Sequence, residues 1–130
     1  MQLNNTQIYE IEKNLKENNT ISNDDHLIVA EKGDYWSKFL IFNMQERGCY
    51  YFTNEKIIFA GGLGGAYILL NIPYKNIRNI KKCNVGLFIP CGILLTVYDE
   101  NKQKEVKYRL SLLKRDNWIR FIEERGVNSN

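Results

Sequence analysis

Gly48-Cys49-Tyr50-Tyr51-Phe52-Thr53-Asn54-Glu55-Lys56-Ile57-Ile58-Phe59-Ala60 is the stretch on which the fold turns. Gly48 to Phe52 and Lys56 to Ala60 are short runs dense in aromatic and β-branched residues. Such side chains suit the pleated surface of a sheet. Thr53-Asn54-Glu55 divides them, and a polar triplet between two apolar runs reads as a β-hairpin.

Reading toward the C-terminus, the same chemistry continues. Gly61-Gly62-Leu63-Gly64-Gly65 reads as a loop whose glycines supply positive φ, with Leu63 at its tip. An exposed apolar tip of this kind can touch a membrane or a partner. Ala66 to Ile72 reads as a strand that Pro73 ends or confines to an edge. Tyr74 to Lys82 carries Ile77 and Ile80. Gly86 to Pro90 reads as a turn, Ile93 to Tyr98 as a strand, and Asp99 to Lys102 as another turn. In Glu105 to Leu110, Val106, Tyr108 and Leu110 alternate with Lys107 and Arg109, so one face is buried and one wet. Residues 112–125 read as a helix. Trp118, Ile119, Phe121 and Ile122 form its apolar arc, and Gly126 is its terminator.

Toward the N-terminus, His26 to Ala30 and residues 36–44 read as strands. Residues 20–25 are polar and read as a linker. Before it, Ile8, Ile11 and Leu15 mark one narrow stripe of a helix over 6–18, with Thr6 as its cap and Glu12–Lys16 as an i, i+4 pair. So thin a stripe must dock, on the body of the domain or on a second copy. About seven strands without helical crossovers imply an antiparallel sheet, and a single amphipathic C-terminal helix suits its open end.

The hairpin, with its glycine, aromatic-rich strand, Thr-Asn and closing Phe59, resembles the GRAM-type signature. Ile72-Pro73-Tyr74-Lys75-Asn76-Ile77-Arg78-Asn79-Ile80 is similar to that family's Ile-Pro-Tyr-x-x-Ile-x-x-Ile segment, and Asn117-Trp118-Ile119-Arg120-Phe121-Ile122 resembles its closing helix. The likeness spans residues 26–125. It implies a pleckstrin-homology-like split barrel, of the kind found in the GRAM and bacterial pleckstrin-homology-like families, with a C-terminal capping helix. The expected division is a helix and linker at 1–25, the barrel at 26–126 and a tail at 127–130. Two departures limit the carry-over. The first helix lies outside the family pattern. The Lys-rich motif between the first two strands of many lipid-binding relatives is absent, with only Lys32 and Lys38 there, on either side of Trp36. Inositol-lipid binding is therefore not transferred residue by residue.

The chain has 130 residues, 44% of them hydrophobic and 25% charged, which fits one folded domain. Met1 to Thr20 is rich in Asn, Glu and Lys and does not read as a secretory signal. The most apolar stretch, Val85 to Tyr98, is interrupted by Gly86, Pro90 and Gly92 and is too short to span a bilayer, so a cytoplasmic protein, peripheral at a membrane at most, is expected. Cys49, Cys83 and Cys91 lack metal or disulfide spacing and read as buried thiols. With His26 as the one histidine, no two-histidine metal motif exists. Asp24-Asp25, Asp99-Glu100 and Glu123-Glu124 read as solvated surface. The glycine run matches no phosphate-loop pattern. No enzyme and no cofactor is expected.

Residues 1–25 hold Lys13 and Lys16 against Glu10, Glu12, Glu17, Asp24 and Asp25, a net −3, which leaves +6 on residues 26–130. The basic residues fall into two groups. One is Lys75, Arg78, Lys81 and Lys82, and the other Lys102, Lys104, Lys107, Arg109, Lys114 and Arg115. The expected function is a binding module for an anionic phospholipid surface or a protein partner, through Lys75, Arg78, Lys81, Lys82 and Leu63. The first alternative is a self-assembly module that forms a homo-oligomer. The second is single-stranded nucleic-acid binding. It is disfavoured because the long helix follows the last strand, unlike the arrangement in OB barrels.

Overall fold

The computed structural model describes residues 3–39, 42–62, 67–85 and 89–126, without the side chains of 38, 39 and 42–44. Leu63 and the tail 127–130, both singled out above, lie outside the described residues. The order is α1 (Asn5–Glu17), β1 (Leu27–Phe39), β2 (Phe42–Thr53), β3 (Lys56–Gly61), β4 (Tyr67–Pro73), a single 3-10 turn (Tyr74–Asn76), β5 (Ile77–Val85), β6 (Ile89–Asp99), β7 (Lys104–Ser111) and α2 (Arg115–Glu123). Among the described residues, seven strands form one sheet in the order β4-β3-β2-β1-β7-β6-β5, each pair antiparallel. Its two outermost strands, β4 and β5, are joined by only three residues. The sheet must therefore curl until its ends meet at that corner.

The curl has a visible cause in the sequence. Gly33, Gly48 and Gly61 stand opposite one another on β1, β2 and β3. A Cβ on Gly48 would run into the Ala60 carbonyl, and one on Gly33 would sit 2.5 Å from the Ser111 carbonyl and 2.8 Å from the Tyr50 ring. Without side chains in this row, the long strands β1 and β2 bend sharply. β1 pairs with β2 throughout and with β7 only at Asp34–Trp36. One strand thereby serves both halves of the barrel. His26–Ala30 and the start of 36–44, read above as two strands, belong largely to this single element. The polar residues between them are bridged by its bend.

The core lies inside the curl. Tyr50, Phe52, Phe59, Ile80, Ile93, Leu95 and Leu110 are fully buried in one cluster with Ile119 and Ile122 of α2. Trp118 stacks on Phe52 at 4.6 Å and 9°, and Phe121 meets the same ring edge-on at 5.4 Å. α2 thus plugs the open end, as its apolar arc implies. It starts three residues later than the apolar pattern, because Leu112 is still buried with the sheet and Lys114 turns the chain at φ 57°. Gly126, at φ 91°, follows it.

α1 covers the outside of the other half. Its cap is Asn4 rather than Thr6. Asn4 and Gln7 exchange side-chain to backbone hydrogen bonds of 2.8 and 3.0 Å, a capping box. Leu15, with Ile11 beside it, packs on Ile58 and Tyr51. This explains why neighbours Ile57 and Ile58, on opposite faces of β3, are both fully buried. The helix docks on its own domain. Glu12 accepts the Leu27 N–H at 2.8 Å and meets Lys16 at 3.1 Å and His26 at 3.3 Å. Residues 20–25 are no free linker, since Ile21 and Asp25 are buried. The Thr53 hydroxyl donates to Asp25 at 2.7 Å, and the same oxygen accepts the Glu55 and Lys56 N–H groups. Asp25 was expected on the surface. Its carboxylate is buried because the hairpin turn gives it a donor.

Candidate functional site

The first basic group is divided between the 3-10 turn, which holds Lys75, and β5, which holds Arg78, Lys81 and Lys82. Ile77 and Ile80 face the core, and Arg78, Lys81 and Lys82 are exposed. From Arg78 to Lys82 the strand advances about 13 Å, at ~3.3 Å per residue. Arg78 stays at the β4–β5 corner, where it donates to the Lys75 carbonyl at 3.2 Å and lies 5.4 Å from the Tyr98 ring centre. Lys82 stands level with Ile93, on the core side at the rim, and pairs with Asp116 of α2 at 2.8 Å. Lys81 stands level with Leu94, which is level with Arg109, which is level with Trp36. Opposite residues share a face, so Lys81 and Arg109 project from the outer side. Lys107, two residues along β7 from Arg109, shares it. Lys75 and Arg78 thus form one site, and Lys81 and Lys82 the start of another.

At the corner, Asn54, Lys56, Tyr74, Lys75, Glu100 and Arg125 line part of a groove of about 640 Å3. Its floor is rigid. The Tyr74 hydroxyl donates to the Thr53 carbonyl at 2.9 Å, and the Tyr74 N–H to the Glu55 carbonyl at 3.0 Å. Burial pushes the Tyr74 hydroxyl far above its ordinary pKa, so it stays neutral. Arg125 lies over the Phe121 ring at 3.5 Å and donates to the Phe121 carbonyl at 2.6 Å. Lys56 donates to the Thr20 carbonyl at 3.0 Å. Two of the groove's three cations are committed to holding the fold, and Glu55 and Glu100 line it as well. This is a mixed polar groove without converging positive charge.

The opposite end differs. Ile89, at the start of β6, is 52% exposed, and Leu113, between β7 and α2, is 79% exposed. The left-handed turn at Lys114 places Leu113 outside while Leu112 stays in the core. Pro90 and Leu113 line one shallow groove of about 390 Å3 with Lys114, Arg115 and Asp116. Arg115 donates to the Cys83 carbonyl at 3.1 Å and the Gly92 carbonyl at 3.3 Å, which ties α2 to the ends of β5 and β6. Lys82 pairs with Asp116 beside it. Leu113 therefore protrudes beside Lys114 and Arg115, with Lys82 held nearby by Asp116, while Ile89 is exposed at the start of β6, level with Val85. Ile89 and Leu113 were missed in the sequence. The signal was Leu112-Leu113 before Lys114-Arg115, since neighbours along an extended chain point to opposite sides and only one of the leucines can join the core.

The remaining reactive groups are quiet. Cys49, Cys83 and Cys91 are free and half-buried, and burial pushes the Cys49 and Cys83 thiols up, away from the nucleophilic thiolate. Among the described residues, no three His, Cys, Asp or Glu side chains are gathered to hold a metal, and no helix is long and apolar enough to cross a membrane.

No protein-family model and no curated protein sequence matches the chain. Solved structures do. The hSac2 domain of human phosphoinositide phosphatase Sac2 aligns at TM-score 0.65 and 7% identity, over 98% of this chain and 91% of that one. A pleckstrin homology domain from Shewanella amazonensis SB2B aligns at 0.54 and 15%, over 97% and 93%. The Slm1 pleckstrin homology domain, solved in complex with inositol-4-phosphate, aligns at 0.52 and 9%, over 76% and 94%. At these identities the likeness is one of architecture. Seven antiparallel strands curled around a core and closed by a C-terminal helix give this chain a pleckstrin-homology-like fold.

Proposed function

We propose that this chain is a non-enzymatic binding module that docks on an anionic membrane surface, working at the cytoplasmic face of a membrane as a peripheral protein. The observation that carries the reading is Leu113, 79% exposed next to Lys114 and Arg115, with the exposed Lys81 and Lys82 on the neighbouring strand β5. Apolar side chains that protrude from a rigid frame enter the headgroup boundary, and cations around them meet anionic lipid. Each basic residue near such a surface contributes about 1 kcal/mol. The solved complex of the Slm1 domain with inositol-4-phosphate lends the reading support by analogy. The GRAM-type motifs at Gly48–Phe59 and Ile72–Ile80 belong with it. In this reading Lys81 and Lys82 act at the docking end, and Lys75 and Arg78 belong to the corner. Single-stranded nucleic acid is the weaker alternative. Stacking of bases needs open aromatic faces, and the rings beside these cations, Trp36 and Tyr98, are half-buried.

Sedimentation with vesicles tests it. We expect binding to phosphatidylcholine vesicles carrying phosphatidylserine, none to phosphatidylcholine alone, and weakening as salt rises. Leu113→Ser and Lys114→Glu should each reduce binding several-fold, and Lys75→Glu should not. Equal binding to both vesicle types, or binding to neither, would reject the proposal.

A further inference from the structure

Among the described residues β4 is an outermost strand, with β3 on one side and no strand on the other. Its first three residues, Tyr67, Ile68 and Leu69, are 66%, 44% and 42% exposed, although all are large and apolar. The register slips between Phe59 and Ala60, so Leu69 has no opposite number on β3. Near the corner the strand is covered. Asn71 donates to the Thr20 carbonyl at 3.3 Å, and Pro73 ends the ladder. An edge strand bare in this way presents unpaired backbone donors and acceptors to any other strand.

Charge decides which strand. From Gly61 to Tyr74 the sequence contains no Asp, Glu, Lys, Arg or His. Edges are ordinarily blunted by a charged side chain, most often lysine, which disfavours pairing with a copy of the same edge. The other edge of this sheet is blunted so, by Arg78, Lys81 and Lys82. An uncharged edge brought against itself meets no like charge, and an antiparallel two-fold contact lays the same apolar strip of each copy against the other.

We infer that β4 is a self-association edge and that its occupant is the β4 strand of a second copy of this chain, in an antiparallel pair centred on Ile68. The exposed parts of Tyr67, Ile68 and Leu69 amount to roughly 300 Å2 per copy, against about 800 Å2 per partner in a stable complex. The dimer is therefore weak and builds up with concentration. The contact is separate from the lipid-docking end and does not depend on it.

Sedimentation velocity of the full chain from about 10 µM to 1 mM, without lipid, should show the mean mass rise from monomer toward dimer, in the range where so small an interface associates. Ile68→Lys should lower the association constant at least ~10-fold, since it sets like charges face to face. Ile28→Lys, at a site 37% exposed on β1, should leave it unchanged. Amide exchange of the wild-type chain needs no variant. Protection should rise with concentration in Tyr67–Leu70 and stay constant in β5. A chain that remains monomeric throughout, an Ile68→Lys variant that associates like wild type, or protection that rises elsewhere and not in β4 would overturn the inference.

Discussion

β4 and β5 end the same sheet, lie three residues apart in the chain, and are finished in opposite ways. β5 carries Arg78, Lys81 and Lys82, its pairing with β6 slips at Ile77/Asn79 and again at Cys83/Val85, and α2 holds it through Arg115 and through Asp116 on Lys82. Each of these features discourages a further strand. β4 shares only the slip, at Leu69, and over Tyr67–Leu69 it carries no charge. The outer faces differ in the same sense. α1 covers Tyr51 and Ile58 outside the β1–β4 half, whereas Lys81, Lys107 and Arg109 leave the outside of the β5–β7 half charged and wet. One half has been given over to contact with apolar partners, first its own α1, and the other to charge.

Two substitutions at matched residue types sharpen this contrast most. Ile80 of β5 is fully buried, and Ile68 of β4 is 44% exposed. Ile80→Ala removes core contacts and leaves a cavity, a loss of about 2–5 kcal/mol. Ile68→Ala should change stability by only about 0.5 kcal/mol, as at other open sites. Urea unfolding at low protein concentration measures both. Equal losses would mean that the front of β4 is packed and the contrast false.

Glu12 tests the cover on the β1–β4 half. Burial by itself would raise its carboxyl, but the Leu27 N–H, Lys16 and His26 outweigh that and hold it below the ordinary carboxylate value. A carboxyl lowered by folding stabilises above its unfolded pKa, and the gain is lost as pH falls through the folded value. Glu12→Gln should therefore cost about 1 kcal/mol at pH 7, typical of a charge-assisted hydrogen bond weakened but not removed. The cost should fade below about pH 4, where an ordinary glutamate is already half protonated. Urea midpoints at pH 7, 5 and 3 give the profile. A cost that persists unchanged at pH 3 would mean that the carboxylate charge does not hold α1 down.

The strands and the closing helix were legible because each carries its pattern locally, such as Val106, Tyr108 and Leu110 alternating in β7, or Trp118 to Ile122 in α2. What was hidden depends on register. Gly33, Gly48 and Gly61 are far apart in sequence, and only strand pairing sets them in one row, so the bend that merges two expected strands into β1 had no local mark. Asp25 looked solvated because its donor, Thr53, is 28 residues away. The basic residues were visible as runs, but a strand sends neighbours to opposite faces. Lys81 thus joined Arg109 from the other run, and Lys82 turned to α2. Leu113 escaped because the turn at Lys114, unmarked by glycine, decides that it points outward.

The smallest effect on stability should come from the pair that closes the β5 edge. Lys82 and Asp116 are both largely exposed at 2.8 Å, and the hydrogen bond from Lys82 holds the Asp116 carboxyl below its ordinary value. Exposed pairs of this kind are screened and add little to folding, so Lys82→Met and Asp116→Asn should each leave the urea midpoint where it is at moderate salt. Asp116 should still report the pair. In Lys82→Met its carboxyl resonance should titrate at a higher pH than in wild type, toward the ordinary aspartate value. The docking end should respond as well. Among the described residues, Asp116 is the one carboxylate lining the groove at Pro90 and Leu113, and Asp116→Asn removes a negative charge among the cations there. Vesicles carrying anionic lipid should then bind a few-fold more tightly, about as much as one added basic residue provides. A midpoint that falls with either substitution would make the pair part of what holds β5 in place. Unchanged vesicle binding in Asp116→Asn would move the docking surface away from Leu113.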